Sequence, residues 1–135
     1  MTLPNRRFLI DTDIIALGIR GNTRVQAQMA SHRYDLAVSS ITASELEAYK
    51  LRTRSSEVGK LIELFLAEVP IVAFDARIAK IAGGITASLM AEGSPIGFAD
   101  TAIAATALNI DAVLVSNNLR HFDRIQELEA LNWDS

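Results

Sequence analysis

The 135-residue sequence contains no cysteine, which excludes disulfide bonds and metal sites built from thiolates. It has no apolar run of transmembrane length, and the apolar run before Asp11 is too short for a secretory signal. Positive charge is not in excess either. The formal net charge is −3, so the composition does not indicate general binding to nucleic acid. We therefore expect a soluble, cytoplasmic protein with no membrane partner.

Apolar residues, in contrast, are abundant. They make up 50% of the chain and charged residues 21%, which excludes a disordered protein. A chain of this length is large enough to bury a sizeable core and fits one domain. The composition thus predicts a single domain over residues 1–135.

Short apolar runs alternate with longer helical segments, the pattern of a parallel α/β domain. The clear runs are RRFLI, YDLAVSS, PIVAF and AVLVS, and a short fifth strand is expected near the C-terminus. Because these runs are almost wholly apolar, they are typical of strands covered by helices on both faces. The sequence predicts a three-layer α/β/α sandwich around a mostly parallel sheet of four to five short strands. The helix predicted between the third and fourth strands contains the pair Gly83–Gly84, which disfavours helix.

Polar residues stand where the predicted strands end or helices begin, and open parallel sheets bind ligands at the carboxyl ends of their strands. These residues are Asp11, Thr12, Asp13, Glu45, Asp100, Ser116, Asn117 and Asn118. Each also has a purely structural explanation. Asp11 or Thr12 could cap a helix, and Thr42 with Glu45 matches the T-x-x-E capping box.

The acidic residues together favour a metal site. Asp11 and Asp100 have apolar neighbours, and a buried carboxylate without a partner is costly. No Lys or Arg stands at helical spacing from Asp100, so a divalent cation would supply the positive charge. If Asp11, Asp100 and Glu45 lie close together, with amide or hydroxyl oxygens nearby, they form a site that suits Mg²⁺ or Mn²⁺. We expect no zinc site, since neither His32 nor His121 is near another candidate ligand in the sequence.

The same D-x-D motif is also found in enzymes with a different chemistry. FLIDTDII and LVSNN also resemble two motifs of haloacid-dehalogenase-like phosphatases, in which Asp11 would attack phosphorus and Asp13 would act as acid and base. That scheme requires a Lys at or after the second motif, as receiver domains also do. The last Lys is Lys80, far before Ser116, which argues against both classes.

Four segments together resemble the PIN-domain ribonucleases, in particular the VapC-type toxins of bacterial and archaeal toxin–antitoxin pairs. They are FLIDTDII, SSITASELEAYKLR, PIGFADTAIAATAL and LVSNNLRHFDRI…LNW. The resemblance spans nearly the whole chain, in order, and implies a single PIN domain. The catalytic positions that it implies are Asp11, Glu45, Asp100 and Asn118, the last of which is often Asp in relatives. The implied supporting positions are Thr12, Asp13, Ser116 and Asn117.

The function that the resemblance implies is that of an endoribonuclease toxin. Mg²⁺ or Mn²⁺ held by Asp11, Glu45 and Asp100 would promote hydrolysis of RNA phosphodiester bonds, and tRNA is a plausible substrate. The implied partners are a cognate antitoxin and a second copy of the chain, in a homodimer or a higher toxin–antitoxin assembly. Because Asn118 lacks the charge of Asp, the alternative is a non-catalytic PIN-like module that binds RNA or a partner.

Two further interpretations depend on the same resemblance. Arg20, Lys50 and Arg120 are candidates to hold the RNA backbone at the rim of the site. The apolar segment EVGKLIELFLAEV either belongs to the core or lines a groove for the antitoxin, and core is the favoured interpretation.

Overall fold

The computed structural model describes residues 6–135 of the chain. Its strands are β1 (Phe8–Ile10), β2 (Leu36–Ser39), β3 (Ile71–Val72), β4 (Val113–Val115) and β5 (Ala130–Leu131). Its helices are α1 (Thr12–Ile19), α2 (Thr23–Ser31), α3 (Ser40–Arg52), α4 (Ser56–Glu68), α5 (Ala76–Ala91), α6 (Phe98–Asn109) and α7 (Leu119–Phe122). A 3₁₀ turn, Arg33–Asp35, precedes β2 and shortens the predicted second strand.

The strands form one parallel sheet in the spatial order β3-β2-β1-β4-β5. Adjacent residues of β1 point to opposite faces. Leu9 belongs to a cluster that contains Ile103 of α6, while Ile10 belongs to another that contains Ile14 of α1 and Leu46 of α3. Both faces are therefore covered by helices, and the predicted α/β/α sandwich with five short strands is confirmed.

The third predicted strand is much shorter than expected. Only Ile71 and Val72 pair with β2, at the edge of the sheet. Pro70 has no N–H to extend the ladder, although its carbonyl accepts from Val38 at 3.0 Å.

Across residues 6–135, no helix combines the length and the apolar character that crossing a bilayer requires.

The order of the strands locates the site. From β1 the chain adds β2 and β3 on one side, then returns to place β4 and β5 on the other. The direction of winding therefore reverses between β1 and β4, where Ile10 is paired with Val115. Such a reversal opens a crevice at the carboxyl ends of the two strands. The residues that follow there are Asp11 and Ser116.

Candidate active site

Asp11 and Ser116 form the buried centre of this crevice. The Ser116 hydroxyl donates to Oδ2 of Asp11 at 2.8 Å, and both residues are buried. Oδ1 of Asp11 accepts from the backbone N–H of Thr12, the first residue of α1, at 2.8 Å. A helix cap usually accepts from the second or third residue instead. Asp11 thus occupies the cap position of α1, but one of its carboxylate oxygens is directed to the neighbouring strand.

Asp13 lies beside this pair and contacts the loop after β4. Its Oδ2 accepts from the backbone N–H of Asn117 at 3.3 Å and lies 3.5 Å from the Ser116 hydroxyl. Its Oδ1 accepts from the backbone N–H of Ile14 at 2.7 Å. Ser116 also accepts from the backbone N–H of Asn118 at 3.0 Å. The predicted supporting residues Asp13, Ser116 and Asn117 are thus in one hydrogen-bonded network with Asp11.

Asp100 enters the site from the first turn of α6. Gly97, just before this helix, has φ of +89°, a conformation that residues with a Cβ rarely adopt. Its carbonyl accepts from the backbone N–H and the hydroxyl of Thr101, at 3.2 and 2.7 Å, and so fixes the first turn. Oδ2 of Asp100 lies 2.6 Å from Nδ1 of His121 and 3.4 Å from Nδ2 of Asn118.

His121 is the residue of the site that the sequence interpretation missed. The expectation that neither histidine is near a candidate ligand is wrong for His121, which contacts Asp100 directly. The spacing held a clue, because His121 follows Asn118 by three residues, which places both on one face of a helical turn. His32, in contrast, stacks on Trp133 and packs against Phe8.

Glu45 stands apart from the other carboxylates. It is exposed on α3, and its Oε1 accepts from the Thr12 hydroxyl at 2.5 Å. The capping-box explanation is wrong, because Ser39 caps α3 and its hydroxyl accepts from the backbone N–H of Thr42 at 3.0 Å. Glu45 is therefore in the second turn, free of any capping role.

Across residues 6–135, no three Asp, Glu, His or Cys side chains are grouped closely enough to hold a metal ion together.

The charges of the site are poorly compensated. Burial raises the pKa of Asp11 from 3.8 to about 7, and the neighbouring Asp13 and, less strongly, Asp100 add to the increase. Burial is also the main reason why the pKa of Asp13 is raised. Within the part of the chain that the structure describes, neither carboxylate is within ion-pair distance of an Arg or Lys. Carboxylate, hydroxyl and amide oxygens with excess negative charge fit a hard divalent cation.

The basic residues suggested for RNA binding have ordinary surface contacts. Lys50 pairs with Glu47 at 2.7 Å, and Nε of Arg20 donates to the carbonyl of Ala16 at 3.3 Å. Arg120 is exposed at the start of α7, two residues after Asn118. Their role at the rim of the site stays a prediction.

Residues 8–128 match the family model of the PIN domain. This chain belongs to the PIN-domain family. Ribonuclease VapC2 of Haemophilus influenzae is 33% identical to it over 129 residues, covering 94% of this chain and 98% of that PIN-domain relative. The tRNA(fMet)-specific endonuclease VapC of Shigella flexneri is 30% identical over 132 residues, with the same two coverages. The family resemblance found in four sequence segments is confirmed.

Solved structures of PIN-domain relatives have the same fold. The structure of DNA-bound VapBC from Salmonella typhimurium superposes with a TM-score of 0.87 at 27% identity, over 96% of this chain and 99% of that chain. VapBC2 from Rickettsia felis, bound to a DNA fragment from its promoter, gives a TM-score of 0.84 at 27% identity, over 93% and 98%.

Proposed function

We propose that this chain is an endoribonuclease that hydrolyses RNA phosphodiester bonds and acts as the toxin of a toxin–antitoxin pair. The observation that carries the proposal is the group of carboxylates at the β1/β4 crevice. Asp11, Asp13 and Asp100 interact electrostatically there without an Arg or Lys partner among the described residues. The relatives named ribonuclease and tRNA(fMet)-specific endonuclease support the same reaction class.

We further propose that Asp11, Asp100 and Glu45 hold Mg²⁺ or Mn²⁺. A divalent cation at these oxygens would activate water and neutralise charge on the phosphate, so no protein nucleophile is needed. Ser116 holds one oxygen of Asp11, and Asp13 holds the loop that carries Asn117. Binding of the same cation by Glu45 requires its carboxylate to leave the Thr12 hydroxyl, and Glu45 is exposed on α3.

Asn118 is better supported as a neighbour of Asp100 than as a fourth ligand. Its side-chain nitrogen lies 3.4 Å from Oδ2 of Asp100 and 2.9 Å from Nδ1 of His121. Its backbone N–H is bound to Ser116. We propose that Asn118 supports the site through its contact with Asp100 and its backbone bond to Ser116, in the place where relatives often have a carboxylate.

The substrate that we propose is a folded RNA such as tRNA. With a net charge of −3, the chain is unsuited to tight nonspecific binding of RNA, but it can recognise a folded RNA by its shape. The relative from Shigella flexneri is named as tRNA(fMet)-specific, which supports the class of substrate and not the individual tRNA.

We propose a cognate antitoxin and a second copy of the chain as partners, and a single PIN domain as the functional unit. The structures of relatives described as VapBC support the antitoxin.

The segment EVGKLIELFLAEV contributes to the core and also offers an apolar surface that could line a groove for the antitoxin. Ile62 is fully buried, whereas Leu61 and Leu64 are 41% and 56% exposed and are available to a partner.

Induced expression in a bacterial host tests the proposal. Growth arrest with cleaved RNA in cells that express the wild type, and neither effect with Asp100→Asn at equal protein level, is the expected result. Accumulation of the wild-type protein with intact RNA and normal growth would overturn the toxin assignment. Binding of RNA without cleavage by the purified wild type would favour the non-catalytic alternative.

A further inference from the structure

We infer that His121 is a positioning residue that fixes the carboxylate of Asp100 for cation binding. This inference rests on the proposed function and deepens it. The imidazole Nδ1 lies 2.6 Å from Oδ2 of Asp100, the shortest side-chain contact of that carboxylate. Among the described residues, the hydrogen bonds of the Asp100 carboxylate are both made by Oδ2, and none is made by Oδ1. One oxygen is therefore held by the imidazole while the other is left for a cation.

Nδ1 can bond only one of its two neighbours, because it donates to Asp100 when it carries a hydrogen and accepts from the amide of Asn118 when it carries none. Asn118 Nδ2 is 2.9 Å from the same nitrogen, but a ring nitrogen that donates to Asp100 cannot also accept from an amide. We assign the hydrogen to the 2.6 Å contact, because hydrogen bonds to a carboxylate are the shorter and stronger ones. Asn118 then adds a longer contact to the same Oδ2, at 3.4 Å.

The local backbone explains why this contact forms. Asp100 is in the first turn of α6, whose following residues Thr101–Ala107 are buried, so the helix is firmly packed. His121 is in α7, a single short helix that starts directly after Asn118, and Phe122 beside it is fully buried. The two side chains meet at the surface of the crevice, where that of Asp100 is 23% and that of His121 39% exposed. A carboxylate that is held on one side in this way keeps a single orientation.

Substitutions of His121 can distinguish a positioning role from a general structural one. The amide nitrogen of Asn occupies about the place of Nδ1 in histidine, and that of Gln about the place of Nε2. His121→Asn should therefore keep the bond to Asp100, whereas His121→Gln and His121→Ala should lose it. His32→Ala is the matched control, because it removes the other imidazole, which packs on Phe8 and Trp133.

The measurements are cleavage of a total tRNA pool by the purified full chain, Mn²⁺ binding followed by electron paramagnetic resonance, and the melting temperature. For His121→Ala and His121→Gln we expect kcat and Mn²⁺ affinity to fall by about 10- to 100-fold, with KM for RNA unchanged. His121→Asn should restore most of both. His32→Ala should lower the melting temperature without changing kcat.

The possible outcomes separate this inference from the proposed function. If the wild type cuts RNA and His121→Ala cuts it equally well, only the positioning role is overturned. Equal behaviour of the Asn and Gln variants would overturn it as well, because the role depends on Nδ1. A wild type that neither cuts RNA nor binds Mn²⁺ would overturn the proposed function, and this role with it.

Discussion

The hydroxyl of Ser116 donates a 2.8 Å hydrogen bond to Oδ2 of Asp11, and the two residues are 105 positions apart in the chain. Asp11 follows β1 and Ser116 follows β4, so the bond spans the point where the winding of the sheet reverses. Burial and the neighbouring carboxylates raise the pKa of Asp11. The bond from Ser116 acts against this increase, because a hydrogen-bond donor to a carboxylate lowers the pKa of that carboxylate. The central strand pair of the fold thus fixes the position of Asp11 and supplies a hydrogen bond that favours its charged form.

Ser116→Ala should weaken both the fold and the site. Two groups lose their partner in this buried place, namely Oδ2 of Asp11 and the backbone N–H of Asn118. We expect the free energy of unfolding, measured by urea denaturation, to fall by about 1–3 kcal/mol, and RNA cleavage to fall with it. Thr106→Val is the control, because this buried hydroxyl donates only to the carbonyl of Ala102 within α6. Wild-type stability and cleavage in Ser116→Ala would contradict the role given to this bond.

Asp11→Asn should change how stability depends on pH in protein kept free of metal with a chelator. The pKa of Asp11 is 3.8 in a model peptide and about 7 in the folded chain, so the native state binds the proton more tightly. The free energy of unfolding of the wild type should therefore fall as pH rises from about 4 to about 7, and level off above that. In Asp11→Asn this fall should be smaller by on the order of 2 kcal/mol.

The exposed acid Asp123 provides the control for this comparison. Asp123→Asn should follow the wild-type curve across the same range of pH. A constant difference between wild type and Asp11→Asn from acidic to slightly alkaline pH would show that Asp11 titrates normally in the folded chain.

Mn²⁺ or Mg²⁺ should stabilise the wild type in thermal melts. A ligand that binds only the native state stabilises it by about 2.7 kcal/mol at a hundred times its Kd, which is a shift of several degrees for a chain of this size. The shift should be larger at pH 8 than at about pH 5.5, because protons compete with the metal for Asp11. Asp11→Asn and Asp100→Asn should lose most of it. Equal shifts in all three proteins would place the bound metal elsewhere.

Glu45→Gln should separate catalysis from stability. Glu45 is exposed, and its contact in the structure is the Thr12 hydroxyl, so the melting temperature should change little. RNA cleavage should fall by at least about 100-fold if this carboxylate joins the metal site. Glu47→Gln, two residues along the same helix, removes an exposed carboxylate that pairs with Lys50 and should leave cleavage intact. Equal activity of the two variants would remove Glu45 from the proposed site.

Much of the fold could be predicted because each strand is a short, almost wholly apolar run between helical segments. Even Gly83 and Gly84 lie inside a continuous α5, where both are exposed and the surrounding Ile78, Ala82 and Leu89 pack inward. The length of β3 could not be predicted from its apolar residues. It depends on its position at the edge of the sheet, which is a property of the whole topology.

The residues of the site that come directly after a strand could be predicted from the sequence. Asp11 and Ser116 meet there because β1 and β4 are neighbours, as the rule for open parallel sheets requires. The direction of Glu45 toward Thr12 and the contact of His121 with Asp100 depend on side-chain rotamers and on the short turn before α7. Spacing along the chain predicts that His121 and Asn118 share one face of a helical turn, but it does not predict the contact of either residue with Asp100. The capping-box motif failed for a related reason, since Ser39, which ends β2, already caps α3.

Cleavage of a total tRNA pool by the purified chain tests the central claim most directly. Wild type, Asp11→Asn and Asp100→Asn are incubated with the RNA in Mg²⁺ or in excess chelator, and the products are separated on a denaturing gel. We predict discrete cleavage products only for the wild type with Mg²⁺. Equal amounts of product in all three proteins, or product from the wild type in chelator, would contradict a metal-dependent reaction at these carboxylates. The same contradiction would follow if the folded wild type left every RNA intact with Mg²⁺ present.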